Sequence, residues 1–227
     1  YWIIISTYIC IIFTLLLNRE NLALYNIDKL SLLILALAGG IRVYLHTPNE
    51  VLYKNIVLIL SLMLFCLALT NWRRIPNTNI TWLFTGISTC IFVIPLAYTE
   101  SYQTNLYSIS NVLYGDHFVL YAIKNILYNL AFVAPIEEML LRSILWGEMR
   151  RRQYGEEKIF WIQGLLFWGM HFWKVFTPIT FFVTLPISIF IESLLVKYSK
   201  QISPSIMAHW LLDTLTPMFV YFISVLS

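Results

Sequence analysis

The chain is a succession of long apolar segments separated by short polar connections, and that pattern leaves few folds open. The segments cover residues 2–17, 30–45, 56–71, 80–98, 117 to about 147, 159–173, 179–196 and 205–226. Backbone placed in hydrocarbon must satisfy its own N–H and C=O groups, so such segments are read as helices. They lack the in-out alternation that barrel strands carry. Only 12% of the 227 residues are charged and 59% are hydrophobic, whereas soluble domains carry about 25% charge. The expected fold is therefore all-α, a bundle of about eight transmembrane helices. Such a chain is an integral, multi-pass protein of a cell membrane or endomembrane, with the lipid bilayer as its first partner. Several segments fall short of the roughly 20 residues of an upright span, so their bounds are loose.

The net charge of +3 calls for no nucleic acid partner. Basic residues gather in alternate connections: Arg19 and Lys29; Arg73 and Arg74; Arg150, Arg151, Arg152 and Lys158; Lys197 and Lys200. The insertion rule places these in the cytoplasm and both chain ends outside, against a minority vote from Arg42, Lys54 and Lys174. The first apolar run has no basic region before it and no small-residue cleavage site after it, so it is not read as a cleavable signal peptide. Cys10, Cys66 and Cys90 show no metal-ligand spacing and are expected to be small apolar packers.

The chemistry starts at Glu137 and Glu138, adjacent in the fifth segment, with Arg142 four residues on. Carboxylates inside a membrane are costly unless paired, hydrated or used. Pro135 has no N–H to give and crowds the carbonyl of Ala131, so the helix is expected to loosen just before them. On a helix the two glutamates point about 100° apart. Glu138 and Arg142 form an i, i+4 pair in the favourable order, which leaves Glu137 free to take a proton from water. Phe167 and His171 share a face at the same spacing, as do His209 and Asp213, and Asp213 can orient His209 or share a water with it. Each motif alone also admits a structural reading, a charge cluster or a histidine bonded to a carbonyl. His46 and His117 lie at segment ends and are given no role; residues 99–116 read as a connector.

Glu-Glu-x-x-x-Arg, Phe-x-x-x-His and His-x-x-x-Asp, in this order on successive apolar segments, resemble the CPBP family of intramembrane proteases, also called the Abi family, which includes the Rce1-type CAAX prenyl endopeptidases. The resemblance covers residues 114–217 and suggests variable transmembrane helices over 1–113 and a catalytic core over 114–227. It implies an endopeptidase acting on a membrane-attached peptide or protein. Glu137 would activate water, His171 would position it, and His209 with Asp213 would steady the oxyanion. Glu138, Arg142 and Phe167 would support them. The family often ends the third motif with Asn; Asp213 donates only when protonated, so orienting His209 is its expected task. The family is described both as metal-dependent and as metal-free. The chain has no His-Glu-x-x-His, so no cofactor is expected; a zinc, if held, would sit on Glu137, His171 and His209. A non-enzymatic immunity or scaffold protein of the same family is the alternative, and a proton-coupled transporter a further one. Helical rise puts Glu137 in the cytoplasmic half of the bilayer, with substrate expected from that side.

Overall fold

The computed structural model describes residues 2–45, 51–92, 118–172 and 178–226. Among them there are eight helices and no strand: α1 Trp2–Leu17, α2 Lys29–Leu45, α3 Val51–Thr70, α4 Ile80–Ser88, α5 over 118–151, α6 Glu156–Met170, α7 Thr180–Ser199 and α8 Ser203–Leu226. His46, His117 and the 99–116 connection lie outside the described residues, as does the end of the fourth segment.

Helices α3 and α7 are each 20 residues long, with mean hydropathy of 2.2 and 1.6, long and apolar enough to cross a membrane. Their outer faces carry exposed Leu58, Ile59, Leu62 and Met63 on α3 and Phe182, Val183 and Ile187 on α7. Contiguous exposed apolar surface of this kind suits a lipid environment rather than water. The inner face of α3 presents Val57, Ser61, Leu64 and Ala68 at helical spacing. It packs closely on α2: a Cβ added at Gly39 would come 1.5 Å from the Ser61 Oγ. Cys10 and Cys66, expected as packers, are exposed instead. An apolar outer face costs a thiol nothing, so smallness does not force it inward.

Helix α5 leaves regular α geometry twice. A π turn at Asn129–Val133 precedes Ala134–Glu138, and a second follows at Met139–Leu145. The missing N–H and the ring of Pro135 account for the first. Pro186 does the same for the π turn Thr180–Thr184 that opens α7.

The four basic connections meet at one end of the bundle. Arg150 donates to the Leu24 carbonyl at 2.7 Å and the Asn26 side chain at 2.6 Å, and pairs with Glu156 at 2.6 Å. The Ser203 hydroxyl donates to Asp28 at 2.5 Å, and the Ile202 N–H to the Asn26 carbonyl at 2.8 Å. Asn77 accepts from Lys29 at 2.7 Å and from the Gln201 amide at 2.6 Å. Lys200 reaches Glu156 at 2.9 Å, and Lys197 pairs with Glu157.

Candidate active site

The two adjacent glutamates diverge, as their helical offset requires. Glu138 is fully buried and accepts hydrogen bonds from Arg142, from the Ser205 hydroxyl and from His209 Nδ1, the last at 2.9 Å. Arg142 is equally buried. Its Nη1 lies 3.0 Å from Glu192 Oε2, its Nε donates to the Ser193 hydroxyl at 3.1 Å and its Nη2 to the Ile189 carbonyl at 2.8 Å. Its guanidinium stands 4.6 Å from the centre of the Phe167 ring. A buried guanidinium is tolerated when its fork of donors is matched in this way. Gln163 extends the network to α6, donating to Ser193 at 2.5 Å. One cation thus ties α5, α6, α7 and α8 together.

Glu137 turns toward the histidines. Its Oε2 stands 3.8 Å from His209 Nε2 and 4.0 Å from His171 Nε2. That oxygen is buried and has no hydrogen-bond partner among the described residues. His171 follows the last residue of α6, and its Nδ1 lies 2.9 Å from the Phe167 carbonyl. A carbonyl only accepts, so Nδ1 carries a proton, and in the neutral ring Nε2 presents a lone pair toward Glu137. The Phe167 ring lies between the two imidazoles, with centres 5.3 Å from His171 and 5.8 Å from His209. The carboxylate that holds His209 Nδ1 is Glu138. Asp213, expected to orient His209, approaches it at Nε2, 3.4 Å away, the nitrogen that also faces Glu137.

Glu192, Ser193, Ser205 and Gln163 were not singled out in the sequence. Glu192 carried a usable signal, a lone carboxylate within an apolar segment, the criterion that marked Glu137. Ser205 carried only its position, one helical turn before His209.

A cavity of about 280 Å³ adjoins these groups, lined by Phe167, His171, Glu192, His209 and Asp213 among others. Along α7 its lining runs from Glu192 back to Thr180, and along α8 from His209 on to Pro217. Both directions lead away from the basic end, over roughly 18 Å of α7 and roughly 12 Å of α8. Entry from the basic side, expected from depth alone, meets the Glu138–Arg142–Glu192 network and the interlocked connections instead.

Two residue sets bear on a metal. Ligand atoms of Glu138, Glu192 and His209 lie within 4.8 Å of one another, but Arg142 already occupies the cation position between the two carboxylates. Around tetrahedral zinc at about 2.0–2.1 Å, ligand atoms stand about 3.4 Å apart. Glu137 stands wider than that from both histidines, at 3.8 and 4.0 Å, and would have to close in.

Residues 119–215 match the Rce1-like family, described as type II CAAX prenyl endopeptidase Rce1-like. No curated protein and no solved structure matches the chain. The match takes in all three motifs, so residues 119–215, which supply every group from Glu137 to Asp213, are similar to the Rce1-like family of proteases.

Proposed function

We propose that the chain is a multi-pass intramembrane endopeptidase that hydrolyses a peptide bond in a membrane-attached peptide or protein, using water activated by Glu137. The observation that carries this is the unpartnered Glu137 Oε2, set 3.8 and 4.0 Å from two imidazole nitrogens. Separations beyond about 3.5 Å leave the atoms unbonded to each other, and in this reading the attacking water enters between them. Glu137 takes a proton from this water while the His171 lone pair accepts its other hydrogen and aims the oxygen. The oxygen attacks the scissile carbonyl carbon, and the C=O pair moves onto the carbonyl oxygen. His209 Nε2, when the ring carries both protons, donates to that oxyanion; Glu138 fixes the ring from Nδ1. Glu137 then returns its proton to the departing nitrogen as the C–N bond breaks. Asp213, at the same Nε2, holds the imidazolium in place.

The basic connections, gathered at one end, support a topology with that end in the cytoplasm. The experiment is incubation of detergent-purified protein with membrane-anchored peptides, products being read by mass spectrometry. Glu137→Gln, which keeps shape and removes the base, should abolish cleavage. His171→Ala and His209→Ala should each lower it by about 10² to 10⁴. Cleavage should survive a zinc chelator. Full activity in all three variants would overturn these residue roles, and no cleavage by the wild type would leave the scaffold reading.

A further inference from the structure

A second concavity opens at the basic end, where the neighbouring helices α1 and α3 finish. It has a volume of about 610 Å³ and is lined by Arg19, Arg73, Arg74, Trp72, Asn71 and Leu69 among others. Among the described residues no carboxylate lines it. Arg150, Arg151, Lys197 and Lys200, from the second half of the chain, each pair with a glutamate. Arg19, Arg73 and Arg74 are exposed and have no such partner among the described residues. Lys29 adds a fourth cation against the groove wall, its Nζ 4.7 Å from the centre of the Trp72 ring. Two helix C-termini end here and together present about one negative charge, against three guanidinium charges. The last carbonyls of α3 are also served from within. That of Leu67 accepts from the Asn71 side chain at 2.9 Å and the Thr70 hydroxyl at 3.1 Å, and that of Leu69 from the Trp72 N–H at 3.3 Å. Glu20, beside Arg19 in sequence, is exposed and does not line the groove; counting it still leaves the charge positive.

The apolar surface next to the groove decides what kind of anion fits. Leu58, Leu62, Phe65 and Leu69 are all exposed on α3, and at 100° per residue they fall within about 60° of one another. They form a stripe along a helix long and apolar enough to cross a membrane, and its last member, Leu69, lines the groove. Trp72 stands one turn beyond it, at the level where membrane proteins place indole rings. An anionic head beside an apolar stripe is the outline of an anionic lipid. From this we infer that the groove is a binding site for an anionic phospholipid, with its phosphate held by Arg19, Arg73 and Arg74 and an acyl chain laid along the α3 stripe. Guanidinium forks match phosphate oxygens in pairs, and basic pockets between membrane helices take such headgroups. A zwitterionic lipid brings its own ammonium, which the three arginines repel. A free phosphate satisfies the arginines and leaves the stripe unused. The site does not depend on the proteolytic reading, since none of its residues lines the cavity beside Glu137.

The test titrates the detergent-purified full chain with phosphatidylglycerol or phosphatidylcholine, with and without inorganic phosphate, and counts bound lipids by native mass spectrometry. Phosphatidylglycerol should fill a first site about tenfold or more tightly than phosphatidylcholine, and equimolar inorganic phosphate should not displace it. Each arginine near an anionic headgroup is worth about fivefold, so Arg19→Gln, Arg73→Gln and Arg74→Gln should each weaken phosphatidylglycerol by about that factor and the triple variant by about a hundredfold. Arg152→Gln with Lys158→Gln removes two exposed cations of the same end that lie outside the groove, and should leave the affinity within about twofold of wild type. The three arginines are exposed, so the variants should fold; if the triple does not, the single variants decide. Equal binding of the two lipids overturns the inference. So does an equal loss in the Arg152 and Lys158 control, which would mean diffuse attraction to the whole basic end. Displacement by equimolar inorganic phosphate would also overturn it, leaving a site for free anions.

Discussion

Glu137 and Glu138 are neighbours in sequence with opposite surroundings, and stability should distinguish them. Glu138 is bonded to Arg142, Ser205 and His209 in a fully buried position. Breaking a buried pair from one side costs about 3–5 kcal/mol. Glu192 still pairs with Arg142, so Glu138→Ala should fall near the lower figure, with a lowered Tm and lost turnover together. Glu137 has an oxygen with no hydrogen-bond partner, and Glu137→Ala removes a partly desolvated carboxylate without orphaning a cation. Its Tm should hold or rise while turnover vanishes. Thermal unfolding and cleavage measured on the same two proteins check both; a destabilised Glu137→Ala beside a stable Glu138→Ala would exchange the roles. The sequence made the Glu138–Arg142 pair legible because its spacing is local. It did not show that Glu138 also fixes His209, which depends on how α8 is rotated against α5, or that Glu192 completes the pair from α7.

At the scale of elements, the described helices begin within five residues of the apolar runs read from the sequence, because polar connections break those runs without fixing where a helix starts. The loosening before Pro135 was expected from ring chemistry, and Pro186, not read in the sequence, has the same effect at the start of α7; the π turn over Arg142 had no such signal, and there the chain is held from outside, by the Asn26 side chain donating to the Arg142 carbonyl at 2.9 Å. The α5–α6 corner makes a separate prediction. Burial raises the Glu156 carboxyl, but hydrogen bonds and charge from Arg150 and Lys200 outweigh it and hold it down at about 2, against an ordinary 4.5. A carboxyl depressed in the fold contributes stability above its unfolded pKa and loses it as pH falls through the folded one. Thermal melts should therefore show a component lost between about pH 4.5 and 2 that Glu156→Gln lacks. The side chain is about a third exposed and solvent screens it, so the component should be small, under about 1 kcal/mol.

For the whole molecule, the direction of the cavity is the feature a sequence could not give, since depth along one helix says nothing about which end is filled. In a background without Cys10, Cys66 and Cys90, Thr184→Cys should react with a membrane-impermeant thiol reagent supplied on the side opposite the basic connections. Ile187→Cys, on the outer face, should stay unmodified there. Reaction of Thr184→Cys only from the basic side would reverse the route of entry.

The basic end has one more consequence, for how the chain comes together. Asn26, Asp28 and Asn77 belong to the first half of the sequence, and their partners Arg150, Ile202, Ser203 and Gln201 to the second. These bonds form a latch that does not depend on the peptide link between the halves. Two fragments co-expressed after a cut between residues 99 and 116 should find each other in the bilayer and co-purify, and Asp28→Ala with Asn26→Ala should weaken that reunion.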